Sequence, residues 1–265
     1  MAISQKNRVG LYCSDVSGAF DRVSSRILKP KLAAGLHPRI LKVLDSWLDE
    51  RSFVVVVDGV TSKSCCLRNS VYQGTVWGPP LWNIFFKDAR DAIEASGYTE
   101  TVFADDMNAF KNYDSTCTDS TILADLESCQ SSLHQWGRAN QVVFDASKES
   151  MHILSRTDPV GENFKILGVL FDTRLHMTSG VHELAANAGW RARAILRAKR
   201  FYSIRELINL FKSQVLSFLE SATPAIYHCA PFVLAPLDYV YENFIGELGV
   251  TPIESLLEYG LAPLC

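Results

Sequence analysis

The 265-residue sequence has no Cys-x-x-Cys pair, no apolar leader and no apolar run long enough to span a bilayer. Its seven cysteines, at 13, 65, 66, 117, 129, 229 and 265, are odd in number, and only the vicinal Cys65-Cys66 lie close together. That spacing argues against a disulfide scaffold or a zinc site and favours reduced thiols in an intracellular protein. Residues 1–8 lack the apolar core of a secretory signal. The uncharged stretch 221–237 is interrupted by Pro224, His228, Pro231 and Pro236, so no transmembrane helix and no membrane partner are expected. Positive charge is not in excess either. With 26 Lys and Arg against 29 Asp and Glu, the net charge is −3, which excludes a uniformly basic coat but leaves room for a local basic patch.

What the chain does have is the composition of a folded domain, 48% hydrophobic and 21% charged. Residues 8–14 read as a buried strand that ends at Asp15, and 19–36 as a helix broken near Pro30 and stopped at Gly35. A second helix covers 39–49. Phe53–Val57, Asp58-Gly59 and Val60–Cys66 carry the β-branched residues and turn of a hairpin. Pro79-Pro80 open an apolar helix to about Ala95. Residues 98–104 and 107–111 form a second hairpin with Asp105-Asp106 at its tip. Residues 118–139 form an amphipathic helix with Leu123, Leu126, Leu133 and Trp136 inward, followed by short strands at 141–144, 151–154 and 166–171. From about Ser179 the pattern is helical. The expected class is α+β, followed by a helical region.

Two adjacent carboxylates repel unless water or a cation neutralises them. Taken alone, Asp105-Asp106 is an ordinary exposed turn, and Asp15 an ordinary helix cap. Brought together across a sheet, the three carboxylates would make an oxygen-ligand site for two Mg²⁺ ions, suited to in-line phosphoryl or nucleotidyl transfer.

The surrounding residues carry a resemblance. Asp15-Val-Ser-Gly-Ala-Phe20-Asp21, Tyr72-Gln73-Gly74 through Asn83, and Phe103-Ala104-Asp105-Asp106 resemble, in order and spacing, motifs A, B and C of reverse transcriptases, most like the non-LTR retrotransposon (LINE-type, jockey-like) group. Phe144 to Glu149 resembles motif D, Ile166-Leu167-Gly168-Val169 the motif E primer grip, and 197–228 the basic helical thumb. The resemblance implies a reverse-transcriptase-like palm, an antiparallel sheet backed by helices, over 1–172 with the fingers largely missing, and a helical thumb-like region over 173–265.

It also implies roles. Asp15, Asp105 and Asp106 would be the catalytic carboxylates and the metal ligands, with Mg²⁺ as cofactor and Mn²⁺ as an alternative. Phe20 would be the steric gate against a ribose 2′-OH. Gln73 and Gly74 would line the template and nascent base pair, Lys148 would protonate the leaving pyrophosphate, and Leu167-Gly168 would face the primer end. Between 175 and 215, seven basic residues against two acids give a net +5; without the resemblance this is a solvated helix face. With it, Arg191, Arg193, Arg197, Lys199 and Arg200 would track the phosphates of the duplex.

The implied function is an RNA-directed DNA polymerase of a mobile element, adding deoxynucleoside triphosphates to a DNA primer on an RNA template. It would sit within a larger polyprotein carrying an endonuclease domain, inside the cell, in nucleus or cytoplasm. The short segment before Asp15 keeps an alternative open, a catalytically inactive fragment with at most nucleic-acid binding. A different two-metal nuclease would not explain Gln73-Gly74.

Overall fold

A computed structural model of the chain describes residues 7–49, 51–67 and 69–263; the sequence readings at residues 1–6 and at Cys265 fall outside them. The chain divides into two compact units, residues 1–155 and 156–265.

The first unit is built on β1 (Arg8–Asp15), whose side chains are buried along almost its whole length. A strand buried on both faces must be central, and the sheet places it there. Its order is β6 (Thr99–Phe103), β7 (Asp106–Tyr113), β1, β8 (Ser150–Leu154), antiparallel throughout. Helix α5 (Asp119–Asn140) lies on this sheet and buries Ile122, Leu126, Cys129, Leu133 and Trp136 at alternating spacings of four and three. Ile122 takes the inward place expected for Leu123, which is half-buried. Thr118 caps the helix by accepting from the Thr121 N–H at 3.3 Å. Gly10 permits the close approach, since a Cβ there would lie 3.0 Å from the Tyr113 ring and 3.1 Å from Ile122.

The expected helix over 19–36 is two pieces, α1 (Ala19–Arg22) and α2 (Ser25–Ala33). The interruption lies at Val23-Ser24, ahead of Pro30, because that backbone pairs elsewhere: the Ser70 N–H donates to the Val23 carbonyl, and Ser24 bridges Asn69. Pro30 stays inside α2, whose buried Leu28 and Leu32 hold the turn together despite the missing N–H. Next come α3 (Pro38–Leu48), four two-residue strands β2 (Ser52–Phe53), β3 (Val56–Val57), β4 (Val60–Thr61) and β5 (Cys65–Cys66), and α4 (Gly78–Glu94). The short strands pair as two separate ladders, β2 with β5 and β3 with β4. Residues 141–144 add a single bridge, Phe144 to Val16.

The second unit opens with β9 (Phe164–Ile166) and β10 (Val169–Phe171), a hairpin where one strand was expected. It packs on helix α6 (Thr178–Leu196): a Cβ on Gly180 would lie 2.2 Å from the Leu170 carbonyl, so only glycine fits. Then follow α7 (Ile204–Phe211), a π-helical turn (Lys212–Leu216), α8 (Ser217–Ile226), α9 (Pro231–Leu248) and α10 (Pro252–Tyr259). Capping boxes at Ser203/Glu206 and Thr251/Glu254 start α7 and α10. Their core is continuous and includes Leu184, Phe211, Leu237 and Phe244, with the two phenylalanine rings stacked at 4.2 Å. No described helix is long and apolar enough to cross a membrane.

Candidate active site

Adjacent strands in register place residues far apart in sequence side by side, and here they pair Asp15 at the end of β1 with Asp106 at the start of β7. Asp106 is held above the usual carboxylate range by burial first, then by the Asp15 carboxyl beside it and by the charge of Asp105, with Lys148 opposing. Lys148 Nζ donates to Asp15 Oδ2 at 2.6 Å, and its ammonium is raised by that bond. Asp105 sits in the turn ahead of β7 and acts on the pair through its charge.

The turn that carries Lys148 is fixed from several sides. The Asp145 N–H donates to the Asp15 carbonyl at 3.0 Å, and Asp145 Oδ1 accepts from the Ser147 N–H and hydroxyl. Behind it, buried Glu149 accepts from the Tyr12 hydroxyl at 2.5 Å and Gln130 Nε2 at 3.1 Å, and pairs with His134 at 2.7 Å. Burial and Glu149 together push the Tyr12 phenol far up. The carboxylate thus ties β1, α5 and the Lys148 turn together.

The Asp105 turn has its own anchor. Ala104 adopts a left-handed φ of 55°, and its carbonyl accepts from the indole N–H of fully buried Trp82 at 2.6 Å. Trp82 also stacks on Phe20, with ring centroids 5.8 Å apart, and on Phe86 at 5.0 Å. One indole therefore touches both Phe20 and the carboxylate turn. Gln73 and Gly74 lie in an exposed turn beside Phe20, because the Val71 N–H donates to the Phe20 carbonyl. Gly74 has a φ of 81°, which favours glycine. Gly78 closes the turn, and a Cβ there would lie 2.9 Å from the Tyr72 carbonyl.

In the second unit, Leu167 and Gly168 form the β9–β10 turn, at φ 49° and 80°. Arg191 is committed inside that unit, donating to the Gln214 carbonyl at 3.1 Å with its guanidinium over Phe218. Arg193, Arg197, Lys199 and Arg200 are exposed.

The structure thus joins Asp15, Asp106, Lys148, Phe20 and the Asp105 turn in the first unit, with Gln73-Gly74 alongside. Sequence reasoning quoted Trp82 and Glu149 inside the motif B and motif D resemblances but gave neither a role, because each acts on a residue distant in the chain. The donor set suits a hard divalent cation: carboxylate oxygens only, with Asp106 already strained by its neighbours' charge. Among the described residues, no three His, Cys, Asp or Glu side chains yet converge tightly enough to hold a metal. Asp15 and Asp106 are paired in register, and Asp105 sits in the adjoining turn.

Comparison with known proteins bears on residues 2–171, which match the family described as reverse transcriptase (RNA-dependent DNA polymerase). The RNA-directed DNA polymerase from mobile element jockey of Drosophila funebris is 27% identical over 237 residues, covering 80% of this chain and 25% of that protein. The protein of the same description from Drosophila melanogaster is 39% identical over 74 residues, 28% of this chain and 8% of its own length. The chain therefore spans about a quarter or less of these relatives. A solved telomerase structure from Candida albicans, in complex with a TWJ fragment of telomeric RNA, has a TM-score of 0.54 at 11% identity. It covers 95% of this chain and 49% of the telomerase chain, a likeness of fold alone.

Proposed function

Since the chain belongs to the reverse transcriptase family, we propose that it is the palm and thumb portion of a LINE-type retrotransposon's RNA-directed DNA polymerase, with the palm over 1–172 and the thumb over 173–265. Its substrates are deoxynucleoside triphosphates and a DNA primer annealed to RNA. It works within a larger polyprotein that includes an endonuclease domain, inside the cell.

The observation that carries the reading is the pairing of Asp15 with Asp106, with Lys148 on Asp15 and Phe20 linked to the same turn through Trp82. Asp15 and Asp106, joined by Asp105, would hold Mg²⁺ or Mn²⁺. Bound there, the cation supplies Lewis-acid activation of the primer 3′-hydroxyl and charge neutralisation of the leaving pyrophosphate. The 3′-hydroxyl loses its proton to solvent water, its oxygen attacks the α-phosphorus, the bond from that phosphorus to the oxygen bridging to the β-phosphate breaks, and pyrophosphate departs. Lys148 stands within reach of that chemistry as a protonated ammonium, able to give its proton to the pyrophosphate. Phe20 would meet a 2′-hydroxyl on the incoming sugar, while Gly74, with open space around it beside Gln73, would let a base pair approach. Leu167-Gly168 and the exposed basic residues of the second unit contact primer and phosphates.

The test is incorporation of one labelled deoxynucleotide onto a DNA primer on an RNA template, in Mg²⁺ and in Mn²⁺. Extension by the native chain that is lost in Asp106→Asn supports the proposal. No extension from folded protein in either metal overturns it for this chain.

A further inference from the structure

The outward side of α6 carries features that phosphate tracking alone does not use. Trp190, Arg193 and Arg197 share one exposed side of the helix, at positions i, i+3 and i+7, and Trp190 is 62% exposed. Just beyond the helix, Phe201 is 70% exposed, with the Arg200 guanidinium 4.5 Å over its ring. No described carboxylate pairs with Arg193 or Arg197, whereas Lys199 leans on Glu247 at 3.7 Å. Exposed indole and phenyl faces lose water contact only if something flat covers them, and unpaired guanidinium groups beside them select an anion.

Next to Arg193, a cavity of about 340 Å³ opens between α6 and α9, lined by Ala185, Gly189, Arg193, Tyr239 and Asn243 among others. It stays open because Gly189 has no side chain: a Cβ there would meet only the mobile end of Arg193 at 3.4 Å and Val240 at 3.9 Å. An apolar floor, a tyrosine wall and an amide at the rim suit a nucleobase. A paired base in a duplex is already stacked and cannot enter such a groove.

We propose that this surface binds an unpaired nucleic-acid strand, one base entering the α6–α9 groove against Tyr239, a neighbouring base stacking on Trp190, and Arg193 and Arg197 holding the phosphates between them. Charge complementarity and the exposed ring faces select a single strand over a duplex, whose phosphates alone the arginines could hold. The inference rests on reading the second unit as a nucleic-acid-handling thumb, and it assigns Arg193 and Arg197 to an unpaired strand, leaving the duplex to the other basic residues of that unit.

The experiment is fluorescence anisotropy of the full chain, without metal or nucleotide, against labelled oligonucleotides about 12 nucleotides long: single-stranded RNA, single-stranded DNA and a blunt RNA–DNA duplex. Both single strands are expected to bind more tightly than the duplex, and the difference between them reports which sugar is favoured. Trp190→Ala is expected to weaken single-strand binding by about tenfold and duplex binding by less than about twofold, while Trp190→Phe retains most of it. Gly189→Leu, which fills the groove, acts in the same direction, and Gly189→Ala serves as a milder step that also raises helix propensity. Arg193→Ala weakens all three ligands and lowers the salt dependence. Equal affinity for strand and duplex, with Trp190→Ala and Gly189→Leu both without effect in variants that melt normally, overturns the inference. Because no metal or triphosphate is present, polymerase activity is scored separately: extension without a single-strand preference sinks this inference and leaves the proposed reaction standing.

Discussion

Trp82 does two things at once, and both are measurable. Its indole N–H satisfies the carbonyl of Ala104, a left-handed residue at the carboxylate turn, and its ring backs Phe20. Trp82→Phe keeps the stack and removes the donor. Leaving that carbonyl unpaired should cost about 1–2 kcal/mol by thermal unfolding. Loosening the turn should lower the rate constant for incorporation about tenfold while the KM for nucleotide changes less than about twofold. A fall in KM-dependent terms alone would place Trp82 outside the reacting geometry. Phe20→Ala opens the space its ring occupies, so the ratio of ribonucleotide to deoxynucleotide incorporation should rise about 10- to 100-fold; an unchanged ratio would remove Phe20 from sugar selection. Phe20, Asp15 and Asp106 were legible because each lies in a compact run of residues whose types and order carry the signal. Trp82 and Glu149 lie in such runs as well, but the contacts that give them their part, to a carbonyl 22 positions away and to a phenol 137 positions away, have no local pattern.

At the level of elements, the turn that presents Lys148 depends on a buried carboxylate with three partners. Glu149→Leu would strand the Tyr12 hydroxyl, Gln130 and His134, and should cost about 2–4 kcal/mol in denaturant unfolding. Glu149→Gln, which keeps two of the contacts, should cost less; equal losses would mean that volume rather than pairing matters. Strand β8 brings a pH dependence of its own. Burial pushes the His152 imidazole down to about 4, against about 6.5 in the unfolded chain. The unfolded state therefore binds the proton more readily, and stability is full above about pH 6.5 and falls as pH drops toward 4, by about 3 kcal/mol at most. His152→Gln should flatten that window, and an unchanged acid limb would assign it to the carboxylates. The elements themselves were mostly readable, β1 from its unbroken apolar run and α5 from its spacing. What local pattern could not give was the break at Val23-Ser24. It is set by hydrogen bonding to Ser70 and Asn69, whereas Pro30 alone suggested a break farther on.

Across the whole molecule, two cores form separately, one around β1 and α5, the other running from Met177 to Leu261 within the helices. Each contains large, fully buried apolar side chains, the second among them Phe244 and Leu237. Residues 156–265 expressed alone should therefore be helical by circular dichroism and melt cooperatively; a non-cooperative, expanded helical state would show that this core needs the remainder of the chain.

The central claim is that β1 and β7 together make one metal-dependent centre from Asp15 and Asp106. Titration of the purified chain with Mn²⁺, followed by electron paramagnetic resonance, tests it most directly, with Asp15→Asn, Asp106→Asn and Lys148→Ala alongside. Saturable binding is expected, largely abolished in either asparagine variant and preserved or strengthened in Lys148→Ala, which frees Asp15 from its ammonium. Binding that ignores both asparagine substitutions would contradict it.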